Sequence, residues 1–149
     1  MEEIQIPGLV SLLIGLQFAS FGWRIHREIT VGDLGEKTWF PILDKLNLAS
    51  MFITFLACIL LPLVTGEFGQ ISRAVLGSAL LLLILHPVNM LGHYELLTES
   101  GRLKYSRKIG EKKGIAFEEL IYFPRQEAIS VGISLLLAVT VGYFVYATS

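Results

Sequence analysis

The chain has one cysteine, Cys58, among 149 residues. No intrachain disulfide can form, the redox compartment cannot be read from thiols, and the residue fits a small buried filler. Charge is missing over long stretches. Segments of approximately 6–25, 47–66, 74–94 and 128–147 hold Asp, Glu, Lys or Arg only at their margins. Lipid requires this, because a central charge there costs at least about 2.5–3.5 kcal/mol. Period-two alternation is also lacking, and a closed barrel needs at least about eight strands, which leaves an all-α fold. Familiar signatures of chemistry are absent as well: there is no G-x-S-x-G, no H-E-x-x-H and no cysteine pair. With no acid at mid-span to relay protons and no arginine ladder to sense voltage, an active transporter is disfavoured. Two Gly-Glu-Lys triplets lack the long glycine-rich frame of a phosphate loop.

What is present is apolar surface. Apolar residues make up 53% of the chain against an average nearer ~45–50%, and the mean hydropathy is +0.62. Each block is close to the roughly 20 residues an α-helix needs to cross about 30 Å of hydrocarbon, so 1–149 reads as a single transmembrane domain. The first block opens with Glu2 and Glu3 rather than basic residues and runs to Arg24 without a small-residue cleavage site. That marks a retained span rather than a cleaved signal peptide. Eleven of the 12 basic residues lie within 24–45 and 102–125, leaving Arg73 alone elsewhere. Orientation follows Lys and Arg in short flanking loops. Loops 26–46 and 95–127 are therefore expected on the cytoplasmic side of the plasma membrane, with both termini and the short 67–73 turn outside.

The two loops repeat one another. The first reads His26-x-Glu28, Thr30, Gly32-x-Leu34, Gly35-Glu36-Lys37 and Phe40-Pro41; the second reads His93-x-Glu95, Thr98, Gly101-x-Leu103, Gly110-Glu111-Lys112 and Phe123-Pro124. Each match alone is weak, but the order is identical, and internal repetition is sought before any fold is assigned. The second copy carries insertions at 104–108 and 114–122. The expectation is an integral membrane four-helix bundle of two tandem hairpins, 1–66 and 74–149. Both hairpins run the same way, related by a pseudo-twofold axis along the membrane normal, which puts the two His-x-Glu motifs side by side at equal depth. Pro41 and Pro124 suit helix starts. Trp39, Phe40, Tyr122 and Phe123 suit the headgroup level.

In lipid, small residues mark the faces along which helices meet. Gly8, Gly15 and Gly22 stand at heptad spacing, with Ser11 and Ala19 beside them, and predict a seam on the first span. Ser50, Thr54 and Cys58 do the same for the second span, and Ala128, Gly132, Ala138 and Gly142 for the fourth. Such seams serve a bundle within one chain or contact with a second copy. Four spans make a slim object, so a homo-oligomer or a larger membrane complex is expected.

Two groups of residues carry candidate chemistry. His86, Asn89 and His93 share one face of the third span, where they would meet a ligand, quinone or haem. The plainer reading is repair of backbone groups freed by Pro87. His26, Glu28, His93 and Glu95 are two copies of an imidazole with a carboxylate, a donor set that suits a divalent metal such as Zn, Mn or Fe. Residues two apart on an intact helix point about 200° away from each other, so a copy can chelate only if its helix ends at the histidine. The plainer reading there is a helix end, with each histidine on the C-terminal dipole and Glu28 paired to Arg24 or Arg27. The bilayer itself is the first partner, and Arg102, Lys104, Arg107, Lys108, Lys112 and Lys113 could attract anionic lipid headgroups. Nucleic acid is not expected. No residue qualifies as catalytic. The sequence points to a non-catalytic membrane protein that assembles with itself or a partner and presents paired loops. An oligomeric pore and a metal- or haem-binding redox subunit are the alternatives.

Overall fold

The computed structural model describes residues 6–33, 41–94, 96–98 and 125–149. Glu95, both Gly-Glu-Lys triplets, both Phe-Pro pairs except Pro41, and the cations from Arg102 to Lys113 lie outside the described residues. All secondary structure among the described residues is helical. The described residues form four long helices: α1 (Ile6–Asp33), α2 (Ile42–Thr65), α3 (Gln70–His93) and α4 (Arg125–Thr148). All four are long and apolar enough to cross a membrane.

Three of the helices outrun the apolar blocks that predict them, at one end of the molecule. α1 continues two turns past the expected end near 25, α2 starts at Ile42 rather than 47, and α4 at Arg125 rather than 128. The added turns are polar and hold themselves together. Arg24 reaches Glu28 one turn on at 3.2 Å, and the Thr30 hydroxyl donates to His26 O at 2.9 Å, contacts of the kind that favour a helix at i,i+4. The connections at 34–40 and 99–124 leave this end, the loop end. Ile6, the turn at Gly66–Gly69 and Ser149 gather at the other, the terminal end.

At the terminal end α2 carries a π-helical turn, Leu56–Leu60. Its cause is Pro62. The Leu61 N–H bonds back five residues to Leu56 O, and Pro62 has no N–H to offer, so Ala57 O loses its helical donor. The Ser72 hydroxyl of α3 fills that vacancy at 2.6 Å, and the Cys58 thiol in turn donates to Ser72 O at 3.4 Å. Two helices are thereby joined through backbone groups that a regular α-helix would keep to itself. α2 then closes on Gly66, whose φ of +79° is left-handed and whose N–H caps Pro62 O at 2.8 Å, a stop that glycine permits without strain.

α3 and α4 share the most extensive contact of the bundle. Small residues let the backbones meet, as expected in lipid. A Cβ at Gly142 would strike the Ser78 hydroxyl, and one at Gly92 would stand 2.9 Å from Gln126 O. Ser78 Oγ lies 2.9 Å from Ala138 O across the interface and 3.0 Å from Ala74 O on its own helix. The expected small stripe of α2 is buried at Ser50, Thr54 and Cys58. The glycine seam of α1 is not used in this way: a Cβ added at Gly8, Gly15 or Gly22 would meet nothing within 4 Å. The expectation that another helix presses there is not met within the described chain. α1 instead turns the opposite face inward, with Val10 and Leu13 buried against Cys58, Leu76 and Ala79.

Candidate functional site

The bundle interior changes character along its length. Towards the terminal end it is the apolar cluster of Val10, Leu13, Cys58, Leu76 and Ala79. Towards the loop end it is polar, and each helix supplies three residues spaced three and four apart: Gln17, Ser20 and Arg24; Asn47, Ser50 and Thr54; His86, Asn89 and His93; Glu127, Ser130 and Ser134. That spacing keeps them on one helical face, and all but Ser20 and His86 are buried.

Buried polar groups need partners: Thr54 and Ser130 bond carbonyls of their own helices, and the others reach across the bundle. Gln17 Nε2 donates to Ser50 Oγ at 3.0 Å, and Asn47 Nδ2 donates to Gln17 O at 3.3 Å. Ser134 Oγ donates to Asn89 Oδ1 at 3.0 Å, and Ser20 Oγ lies 3.1 Å from His86 Nε2. His86 and Asn89 therefore reach neighbouring helices, rather than repairing their own backbone around Pro87. Gln17 Oε1 is buried with no donor, and Arg24 Nη2 is buried with no acceptor.

Charge concentrates where the loops leave. Arg24 Nε donates to Asp44 Oδ2 at 2.8 Å, tying the end of α1 to the first turn of α2. Arg24 Nη1 donates to Tyr94 Oη at 3.2 Å, which carries the link to the end of α3. Nη2 stands 3.2 Å from Glu28 Oε1, within reach of its charge but off the line of a hydrogen bond. Arg27 bonds Glu28 at 3.1 Å, and its guanidinium lies 5.1 Å from the centre of the Tyr94 ring, a cation–π contact.

The second pair is His93 and Glu127, with Nδ1 2.9 Å from Oε2. The other carboxylate oxygen, Oε1, accepts the Leu43 N–H at 3.2 Å. That amide belongs to the first turn of α2, where helical N–H groups have no partner of their own, and the residue at the cap position is Pro41, which gives no side-chain cap. Glu127 thus caps a helix other than its own. Both Asp44 and Glu127 also sit in the first turn of their helices, where the helix dipole favours a negative charge. The Arg24–Asp44 ion pair, the His93–Glu127 hydrogen bond and the two cross-links between them tie the four helices together at this end.

The predicted site residues fare differently. His93 and Asn89 are buried in the polar interior, and His86 lies beside them half-buried. His26 is exposed on α1. Because α1 continues through His26 to Asp33, His26 and Glu28 leave the helix in different directions; Glu28 turns to Arg24 and Arg27 as the plainer reading has it, but the helix end expected at His26 is not there. α3 does end at His93, and Glu95 lies outside the described residues. Among the described residues no group of three or more His, Cys, Asp or Glu stands close enough to hold a metal ion.

Sequence reasoning misses Arg24, Asp44, Glu127 and Gln17. A signal exists for two of them. Asp44 stands three residues after Pro41, and Glu127 three residues after Pro124, so the loop repeat extends one element further than Phe-Pro. No protein-family model matches the chain, and neither a curated protein nor a solved structure shows a significant similarity to it.

Proposed function

We propose that this chain is an integral membrane protein without catalytic activity, which holds two loops side by side on the cytoplasmic face as one recognition surface. The observation that carries the reading is the double clamp at the loop roots. Arg24–Asp44 closes the stem of the first loop and His93–Glu127 that of the second, while Glu127–Leu43 and Arg24–Tyr94 bind stem to stem. A pair of loops with fixed and adjacent roots suits binding better than loops that merely connect spans. The tandem duplication belongs to this reading: in each half an acid three residues after a proline meets a basic side chain of the preceding helix, Arg24 in the first and His93 in the second. The open glycine seam of α1 leaves a face for a second copy or a larger partner. The excess of Lys and Arg in the two loops favours their cytoplasmic placement.

The test uses single cysteines placed at Glu36 and at Glu111 in a Cys58→Ser background, with an impermeant thiol reagent applied to sealed vesicles of either orientation. Both sites should label from the same, cytoplasmic side. Labelling from opposite sides ends the reading. Alanine substitutions across 26–45 and 93–125 should then abolish capture of the partner or of a second copy at clustered positions, and uniform tolerance would count against a recognition surface.

A second reading, an oligomeric pore, draws on the polar faces described above. Within one chain the apolar cluster around Leu13 and Leu76 closes that route towards the terminal end, so conduction would need a path between copies. Planar-bilayer currents altered by His86→Ala would favour it, and silence across lipids and voltages would reject it. A metal or haem at His86, Asn89 and His93 is a third reading; of the other donor set, His26, Glu28, His93 and Glu95, the His26–Glu28 copy does not chelate, because α1 does not end at His26. The carboxylate on His93 Nδ1 is the arrangement that orients ligating histidines, and metal analysis with an absorbance spectrum decides it.

A further inference from the structure

We propose that the groove at the terminal end seats one phospholipid whose headgroup carries both a phosphate and an ammonium group. The groove is a cavity of about 980 Å³ between the start of α1, the end of α2 and the start of α3, a size typical of ligand sites, which run roughly 300–1,000 Å³. Val10, Leu63 and Phe68 give it apolar walls, Cys58 lines it from the π-helical turn, and Glu67 and Arg73 supply its two charges.

Those charges are the informative part. Both side chains are exposed, and among the described residues neither forms an ion pair or a side-chain hydrogen bond. Arg73 is also the one basic residue of the sequence remote from the two loops. A guanidinium presents a planar fork that matches phosphate oxygens, and a carboxylate complements an ammonium. Opposite charges left apart on one rim, above apolar walls, fit the two poles of a zwitterionic headgroup with its acyl chain beneath. The helix ends place the rim correctly: α2 stops at Thr65 and α3 starts at Gln70, so Glu67 lies in the turn and Arg73 in the first turn of α3. A π-turn within an α-helix frequently accompanies a functional site, and this one shapes the groove wall at Cys58.

The inference rests on the membrane reading above. Full-length protein is reconstituted in vesicles of equal phosphatidylethanolamine and phosphatidylglycerol, extracted in mild detergent, and its retained lipid is counted by native mass spectrometry. Wild type should keep about one phosphatidylethanolamine per chain, several-fold over phosphatidylglycerol. Arg73→Gln should lose both lipids, and Glu67→Gln should shift the preference to phosphatidylglycerol. Cys58, the only thiol, is an independent reporter: added phosphatidylethanolamine should slow its alkylation several-fold in wild type and not in Arg73→Gln. Arg73→Lys, which keeps the charge without the fork, should retain an intermediate amount and controls for misfolding. Equal retention of the two lipids by wild type, or an unchanged pattern in both rim variants, overturns the site. Recovery of the protein from the aqueous phase without detergent would overturn the membrane reading itself, whereas a membrane-held protein with no lipid preference would overturn the site alone.

Discussion

The two ends of this bundle solve one problem in different ways. At the terminal end, helices are joined by apolar packing and by backbone carbonyls and hydroxyls, with Ser72 filling the vacancy that Pro62 creates in α2. At the loop end they are joined by ion pairs and amides, with Arg24, Asp44, His93 and Glu127 all buried. Apolar contacts adhere without choosing a register, and in lipid they gain little from expelling water. Buried charge pairs adhere poorly when tallied against their lost hydration, yet a mismatch is costly. The polar end therefore specifies which helix meets which, and the apolar end adds contact once that choice is made.

The largest break in this contrast should come from Asp44→Ala. It leaves the permanently charged Arg24 buried with its shortest partner gone, at a cost of about 3–5 kcal/mol, read as a fall in the unfolding midpoint in detergent. Removing the charge as well, in Arg24→Leu with Asp44→Leu, should recover much of that loss. A double variant no better than the single would mean that the pair is not what registers α1 on α2. Ser72→Ala should come next. It strands Ala57 O inside the bundle at about 1–3 kcal/mol and should raise hydrogen exchange near the π-turn, while leaving the loop end untouched. An effect that spreads to Leu43 and Glu127 would deny that the ends act separately.

Smaller effects sharpen the comparison. A double-mutant cycle on Asn89 and Ser134 should return a coupling near 0.6 kcal/mol, typical of a hydrogen bond between helices in lipid. A coupling several times larger would make this amide part of the specifying end. Gly15→Leu should not destabilise the monomer and should raise its unfolding free energy by up to about 1 kcal/mol, as expected when a helical glycine with open space around it is replaced. Self-association in lipid, measured by energy transfer between labelled copies, should fall in that variant. Destabilisation of the monomer instead would place the α1 seam inside the bundle.

The number and rough position of the helices are legible because each contains a long stretch free of charge, and an absence is easy to see in a sequence. Their ends are harder. Arg24, Asp44 and Glu127 look like flanking residues, since a charge beside an apolar block is ordinarily solvated. What buries them is a partner on another helix, and sequence spacing within one span does not reveal it. His93 illustrates the limit, since it stands out as an isolated polar residue while Glu127, which gives it a role, does not. The spacing of polar residues by three and four draws the eye only on α3, where the histidines mark it, although all four helices carry it. The glycine seam of α1 shows the converse: its pattern is plain, but a pattern says that contact is permitted, not who supplies it.

Glu127 has one more implication, for the order in which the protein is made. The carboxylate that completes the start of α2 is carried by α4, which follows α1, α2 and α3 in the chain and is synthesised after them. Until that segment is synthesised and inserted, the Leu43 amide has no acceptor there and His93 no anion. The three earlier helices therefore have unfinished ends until α4 arrives, and its arrival supplies both missing contacts at once.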